Sequence, residues 1–316
     1  MTKLHPPQKP RHPNKPSFIF PRQTLSLFVK GFCMGASDVV PGVSGGTMAL
    51  ILGIYEDLIS AVKAIDSAFV RNILQGRFRQ ALMAVPLDFL IPLGLGILTA
   101  IFTLARGLSW LLENQPVAIW SFFFGLVLAS AVIVGQRIQH WSLTLFLILL
   151  VFTVGAYLLV GLVPVHTPET LPFIFLCGAI AICAMILPGI SGSFILVLLG
   201  KYHYILNAVG RFDLIVLTVF GAGTVAGITL FVRLLNWLLK HHHELTMAAL
   251  TGLMIGSLRK IWPWKAVRNL APTDLDRTQD LVNILPQQIS AELFIAIGLA
   301  LLGGMMVLLL QRLADR

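Results

Sequence analysis

Twice in this chain a cluster of helix-breaking residues interrupts apolar sequence: Pro41-Gly42-Val43-Ser44-Gly45-Gly46-Thr47, and then Pro188-Gly189-Ile190-Ser191-Gly192-Ser193-Phe194. Proline has no N–H to donate and glycine tolerates positive φ, so each cluster ends one helix and starts another. Inside hydrocarbon such a break leaves backbone groups bare. It is tolerated only where protein or a water-filled cavity satisfies them. Two breaks in corresponding places are the sequence pointer to a transporter's substrate site.

The surroundings of the breaks are those of a membrane. Of 316 residues, 57% are hydrophobic and 12% charged, with a mean hydropathy of +0.85. Soluble domains carry about twice that charge fraction. The apolar runs approach the roughly 20 residues that a helix needs to cross a bilayer. The composition therefore predicts an all-α polytopic membrane protein. The net charge of +9 is concentrated at the ends and in connecting loops, a pattern that reports orientation rather than nucleic-acid binding. Lys3, Lys9, Arg11, Lys15, Arg22 and Lys30 precede the first acid, Asp38, and five prolines fall in the first sixteen residues. Residues 1–23 read as a disordered, basic cytoplasmic tail with no signal-peptide pattern. Cys33, Cys177 and Cys183 lack metal-ligand spacing or an obvious disulfide partner.

Beyond the first break the chain repeats itself. A shift of 147 positions, which carries Pro41 onto Pro188, also superposes Gly42, Ser44, Gly45, Leu52, Gly53, Tyr55, Ala61 and Val62 on identical residues. A shift of 127 carries Gly94, Gly96, Arg106, Trp110, Gly125 and Ser130 onto Gly221, Gly223, Arg233, Trp237, Gly252 and Ser257. The two shifts differ by about the length of a basic amphipathic linker, residues 63–85, that the second half lacks. The chain thus reads as two homologous five-element repeats, residues 24–163 and 171–311. Each consists of a short helix, a break, a helix from Ser44 or Ser191 onward, and three further spans. If each broken pair is a re-entrant hairpin, each unit crosses three times and the halves are inverted. If each pair makes one discontinuous crossing, the halves are parallel. The inverted arrangement keeps Lys63, Arg71, Arg77 and Arg79 inside. It places residues 263–288 outside, where Asp274, Asp276 and Asp280 offset Lys265, Arg268 and Arg277. An inverted repeat is the expectation.

Gly35-Ala36-Ser37-Asp38-Val39-Val40-Pro41-Gly42-Val43-Ser44-Gly45-Gly46-Thr47, followed by Leu52-Gly53-Ile54-Tyr55-Glu56, resembles the first signature of the PopT family. Ile186-Leu187-Pro188-Gly189-Ile190-Ser191-Gly192-Ser193 with Leu199-Gly200-Lys201-Tyr202 resembles the second. The likeness covers nearly the whole chain except the tail; Ser37, where the family pattern has Ala, is a small departure. The resemblance implies translocation of undecaprenyl phosphate, the lipid carrier of cell-wall precursors, back across the bacterial cytoplasmic (inner) membrane.

Physical chemistry supplies candidate roles. A helix restarting after a break points free N–H groups and its positive dipole end at the gap, which suits a phosphate. The candidate substrate-binding residues are Pro41, Gly42, Ser44, Gly45, Gly46 and Thr47 in one copy and Pro188, Gly189, Ser191, Gly192 and Ser193 in the other. The plainer reading is that these residues only let the hairpins turn and pack. Arg106 and Arg233, at membrane depth, can grip phosphate bidentately or snorkel to the interface. Asp38, whose repeat mate is Met185, can cap the restarted helix, bind a coupling cation or carry a proton. Glu56 is the second coupling candidate. No cofactor is expected, with proton or cation coupling left open. The His241–His243 run reads as polar turn residues rather than a metal site. Gly252-x-x-x-Gly256 reads as a packing seam within one protomer or between two, which leaves a homodimer open. No phosphatase-like or metal-hydrolase cluster is present in the sequence, so the chain is not read as an enzyme. The competing class is a channel or secondary carrier for a small anion, which would need a hydrophilic path closed to lipid.

Overall fold

The computed structural model describes residues 21–39, 44–64, 67–162, 167–267, 281–286 and 288–314. Pro41 and Gly42, and all but the last residues of the tail, lie outside them. The first half runs α1 (Pro21–Asp38), α2 (Gly45–Ile51), α3 (Tyr55–Lys63), α4 (Ser67–Leu74), α5 (Phe78–Ala84), α6 (Leu87–Asn114), α7 (Pro116–Gln136) and α8 (Leu143–Leu159). The second runs α9 (Leu171–Ile186), α10 (Gly192–Leu198), α11 (Tyr202–Arg211), α12 (Leu214–His241) and α13 (His243–Ser257). A strand pair, β1 (Lys265–Val267) and β2 (Leu281–Asn283), precedes α14 (Ala291–Ala314). Among the described residues α6, α7, α12 and α14 contain segments long and apolar enough to cross a membrane, while α8 and α9 are shorter apolar helices. The chain is a multi-pass membrane protein.

Each helix expected to follow a break is in fact two. α2 stops after seven residues because Gly53 adopts φ +68°, and α10 stops likewise at Gly200, φ +64°. Both ends are Schellman motifs. Gly53 N–H donates to the Leu50 carbonyl and Ile54 N–H to Ala49; Gly200 N–H donates to Val197 and Lys201 N–H to Leu196. The identical Leu-Gly pairs at 52–53 and 199–200 were visible in the sequence as repeat identities, but not as helix stops. After Gly200 the axis turns by 105° into α11.

α10 carries the chain back to where α9 began. Thr167, just ahead of α9, donates to the Leu199 carbonyl at 2.5 Å, and its own carbonyl accepts from Lys201 Nζ at 2.7 Å. Ile205 and Ala208 of α11 then pack with Ile174 near the start of α9 and Val216 near the start of α12. The end of α10 therefore lies beside the start of α9.

Four helix pairs make the frame: α1 on α6, α9 on α12, α7 on α14 and α8 on α13. Glycines set their closeness. A Cβ at Gly31 would land on the Leu93 carbonyl and one at Gly96 on the Phe28 carbonyl. At the matching positions Gly178 faces the Phe220 carbonyl and Gly223 the Phe175 carbonyl. Backbones this close leave no room for a side chain. The contacts also give direction. Gly31 meets Leu93 and Gly35 meets Ile97; Phe175 meets Gly223 and Ala179 meets Gly227. Each step of four advances both helices, so α1 runs parallel to α6 and α9 parallel to α12. The same stepping holds for Gly125 with Ala300 and Ala129 with Gly304, and for Gly252 with Leu149 and Gly256 with Thr153. The Gly252–Gly256 seam is thus occupied by α8 of the same chain. α2, with all seven residues buried, and α13 lie at the centre of the main apolar cluster.

The stretch 263–288 contains the β1–β2 hairpin, Lys265 opposite Asn283, which no sequence period announced. Gly94 and Gly221, unlike their neighbours Gly96 and Gly223, face open space. Gly94→Ala and Gly221→Ala are therefore expected to be neutral or to stabilise by up to about 1 kcal/mol. Gly96→Ala and Gly223→Ala should each cost at least roughly 1–3 kcal/mol by prising the parallel pairs apart. Thermal unfolding of the four variants in detergent checks the contrast.

Candidate functional site

The two breaks meet. Ser44, immediately before α2, accepts a hydrogen bond from Gly46 N–H at 3.1 Å, as an N-cap does. Its hydroxyl proton is directed between the Met185 and Leu187 carbonyls, 3.1 and 3.3 Å away, at the end of α9. Thr47 Oγ1 accepts from Gly189 N–H at 3.1 Å, and Tyr55 Oη donates to the Ile186 carbonyl at 3.3 Å. Gly46 lies so near that a Cβ would sit 2.5 Å from the Ile186 carbonyl. Three hydroxyls of the first break thus satisfy backbone groups that the second break has freed.

The breaks are not in equivalent states. In the first, Asp38 Oδ1 accepts from Gly45 N–H at 2.7 Å, so Asp38 and Ser44 together occupy the first two amides of α2. The other end of α2 is also compensated: Arg137 donates to the Leu50 carbonyl and Lys30 to the Leu52 carbonyl, both at 3.1 Å. An acid at the N-terminal pole and two bases at the C-terminal pole match the helix dipole. In the second break Ser191 precedes α10 but makes no cap bond. Its hydroxyl instead meets that of Ser193 at 2.7 Å, and Ser193 is exposed. The first-turn amides of a helix have no intrahelical partner, so this is the break with donors to offer.

Beside the first break is a cavity of about 200 Å³, lined by Met34, Asp38, Gly45, Gly46, Ile97 and Val232 among others. Apart from the carboxylate it is almost wholly apolar. A second, of about 150 Å³, is lined by Tyr55, Glu56, Asp57, Arg137, Leu239 and Met247. Glu56 Oε1 lies 3.4 Å from His243 Nε2, linking α3 to α13 at an exposed edge.

Ser44, Gly45, Gly46, Thr47, Gly189 and Asp38 are therefore brought together, with Pro188 buried alongside; Ser191 is half-buried, Gly192 buried and Ser193 exposed. Arg106 and Arg233 are not brought in. Both side chains are exposed, and neither lines these cavities. His241 contacts the Trp237 carbonyl at 3.0 Å through Nδ1.

Sequence reading missed Tyr55, Lys30 and Arg137, and also two lysines near the second break. Lys260 Nζ lies 4.4 Å from the Phe194 ring centroid, and Lys265 Nζ lies 4.8 Å from that of Trp120. Burial lowers the pKa of both amines; with the nearby Lys260 charge added, that of Lys265 falls to about 8. A basic-aromatic run, Arg259 to Lys265, was the available signal.

Two expectations follow. Thr47→Val leaves the Gly189 N–H without an acceptor and should cost about 1–3 kcal/mol in detergent unfolding, more than Ser191→Ala, whose hydroxyl meets only Ser193. At pH 8 Lys265 should be acylated by an amine-reactive reagent well ahead of exposed Lys63 and Lys240, as read by peptide mass spectrometry.

Among known proteins, a family model described as VCA0040-like, undecaprenyl phosphate translocase-like, matches residues 34–277. A polyprenyl-phosphate transporter of Vibrio cholerae is 47% identical over 245 residues, covering 76% of this chain and 78% of that protein. A polyprenyl-phosphate transporter of Staphylococcus aureus is 32% identical over 258 residues, covering 74% and 85%. No solved structure matches. With the paired signatures meeting at the centre of the fold, this chain belongs to the undecaprenyl phosphate translocase-like family.

Proposed function

We propose that the chain is a translocase, not an enzyme, that returns undecaprenyl phosphate across the bacterial cytoplasmic membrane with its N-terminus in the cytoplasm. The phosphate is held between the two Pro-Gly-x-Ser-Gly breaks and the polyprenyl tail stays in lipid. The observation that carries this reading is the direct meeting of the breaks through Ser44, Thr47 and Gly189. The polyprenyl-phosphate transporters among its relatives support the substrate.

The parallel helix pairs and returning hairpins support an inverted repeat. α1 and α6 can run together only if α2 to α5 bring the chain back to its starting side. The breaks then come from opposite faces and meet at mid-depth. Their unequal states fit alternating access. Here the first break is closed on itself by Asp38 and the second is open at Ser193. In the opposite state Asp38 releases Gly45 and the first break offers its amides. A proton or cation on Asp38 would favour that release, which makes this acid the coupling group; Glu56, paired to His243 at an edge, is the second candidate. Because α7 packs on α14 and α8 on α13, the repeats are stitched together. The moving bodies are therefore the two arms, α1–α3 with α6 and α9–α11 with α12, rather than whole repeats. Arg106 and Arg233, on exposed faces of the long arm helices, meet a headgroup arriving from lipid.

A channel or carrier for a small anion is the other class. It is disfavoured by the apolar lining of the cavity at Asp38 and Gly45.

Reconstituted protein should move labelled undecaprenyl phosphate across liposomes faster than empty vesicles do; equal rates would overturn the proposal. Ser191→Ala with Ser193→Ala should slow transport roughly tenfold or more, since a hydrogen bond to a charged group contributes about 1.5–3 kcal/mol. Unchanged rates in Arg106→Ala and Arg233→Ala would remove the arginines alone. Uptake of a small anion without lipid movement would favour the other class.

A further inference from the structure

The connection from α13 to β1 reads Arg259-Lys260-Ile261-Trp262-Pro263-Trp264-Lys265. Its cations are held differently. Arg259 is turned to α8, donating to the Tyr157 carbonyl at 2.9 Å with its guanidinium 4.4 Å from the Tyr157 ring centroid, so it is an anchor. Lys260 and Lys265 point the other way. Lys260 lies against Phe194, the residue after Ser193, and Lys265 against Trp120 of α7. Lys265 Nζ donates to the Lys260 carbonyl at 2.6 Å. The two side chains are only partly exposed, and among the described residues neither has a carboxylate within ion-pair distance. Burial lowers the tendency of both to hold a proton, and the Lys260 charge adds to this at Lys265.

Two like charges gathered in a partly dry place are costly. Architecture does not require them. By the 127-residue correspondence their counterparts are Ile133 and Ile138, both buried apolar residues. Aromatic rings under both ammonium groups, with Trp262 edge-on to Trp264, give the surroundings of a headgroup layer.

We propose that Lys260 and Lys265 form a capture site for a phosphate monoester headgroup at the mouth of the second break, handing it to Ser191 and Ser193. An anion there supplies counter-charge and bridges both ammonium groups. Phe194 links this outer site to the break, because Ser193 precedes it in the chain. The site is entered before the central one and is specific to one end of the transport path. This inference rests on the transport reading above and assigns it a first station.

The test is equilibrium binding to the full chain in nanodiscs, read by native mass spectrometry, with undecaprenyl phosphate, undecaprenol and inorganic phosphate as probes. Lys260→Gln with Lys265→Gln should weaken undecaprenyl phosphate capture roughly tenfold or more, as the loss of charge-assisted bonds to phosphate does. It should leave undecaprenol unchanged, and Lys260→Arg with Lys265→Arg should restore capture. Ser191→Ala with Ser193→Ala should slow transport roughly tenfold or more while capture persists. Competition by inorganic phosphate at equal concentration would mean that free phosphate is the ligand rather than lipid. Failure of the parent chain to bind the lipid phosphate overturns the transport reading. Parent binding matched by the glutamine double variant overturns this inference alone.

Discussion

A helix broken in hydrocarbon has to find partners for the backbone groups it frees, and in this protein the second break finds them in the first half, while the first break closes on its own side chains. The Gly189 amide is satisfied by Thr47, and the Met185, Leu187 and Ile186 carbonyls by Ser44 and Tyr55. The second half cannot settle alone, because its break would remain exposed to a medium that offers no hydrogen bonds. The requirement explains why hairpin tips rather than long helices occupy the centre. It also explains why α2, seven residues long, is fully buried. A helix that short has little stability of its own. Compensated poles, a Schellman end and neighbours on every side hold it in place.

The same exchange of hydrogen bonds breaks the symmetry that duplication would otherwise impose. Ser44 reaches Met185, but the reciprocal bond from Ser191 to Asp38 is absent, since Ser191 turns to Ser193. A tie made by one half and not by the other leaves the two breaks in unlike states, as the proposed alternation of access needs. Here identical Pro-Gly-x-Ser-Gly sequences sit in unlike surroundings because Asp38 has a methionine, Met185, as its counterpart.

Much of this was written in the residues. The breaks, the duplication and the pairing of Gly96 with Gly223 were legible because they are local patterns or identities at a fixed shift. Their packing then followed, since both glycines face carbonyls at matching positions. The stops at Gly53 and Gly200 were present as Leu-Gly pairs but unread, because a Schellman motif needs a φ value that no hydrophobic period announces. Tyr55, Lys30 and Arg137 escaped for another reason. Each acts on a carbonyl distant in sequence, and a carbonyl has no identity in the sequence. Arg106 and Arg233 show the converse: repeat-related and at membrane depth, they drew notice for their type, yet their helix faces turn them outward. Lys265 was read only as loop charge, and Lys260 not at all, until the fold set them against Trp120 and Phe194.

The carboxylate on the Gly45 amide carries a consequence for what the first break will accept. Asp38 is tethered seven residues away along the same chain, so it competes for that amide at a high effective concentration. Any anion entering there displaces a resident one, and binding is an exchange rather than an addition. A diffuse monoanion gains little from such a swap. A phosphate monoester, doubly charged and with three acceptor oxygens, gains several bonds for the one it breaks. In the proposed transport cycle the resident acid is thus a threshold that favours a doubly charged phosphate monoester over small monoanions.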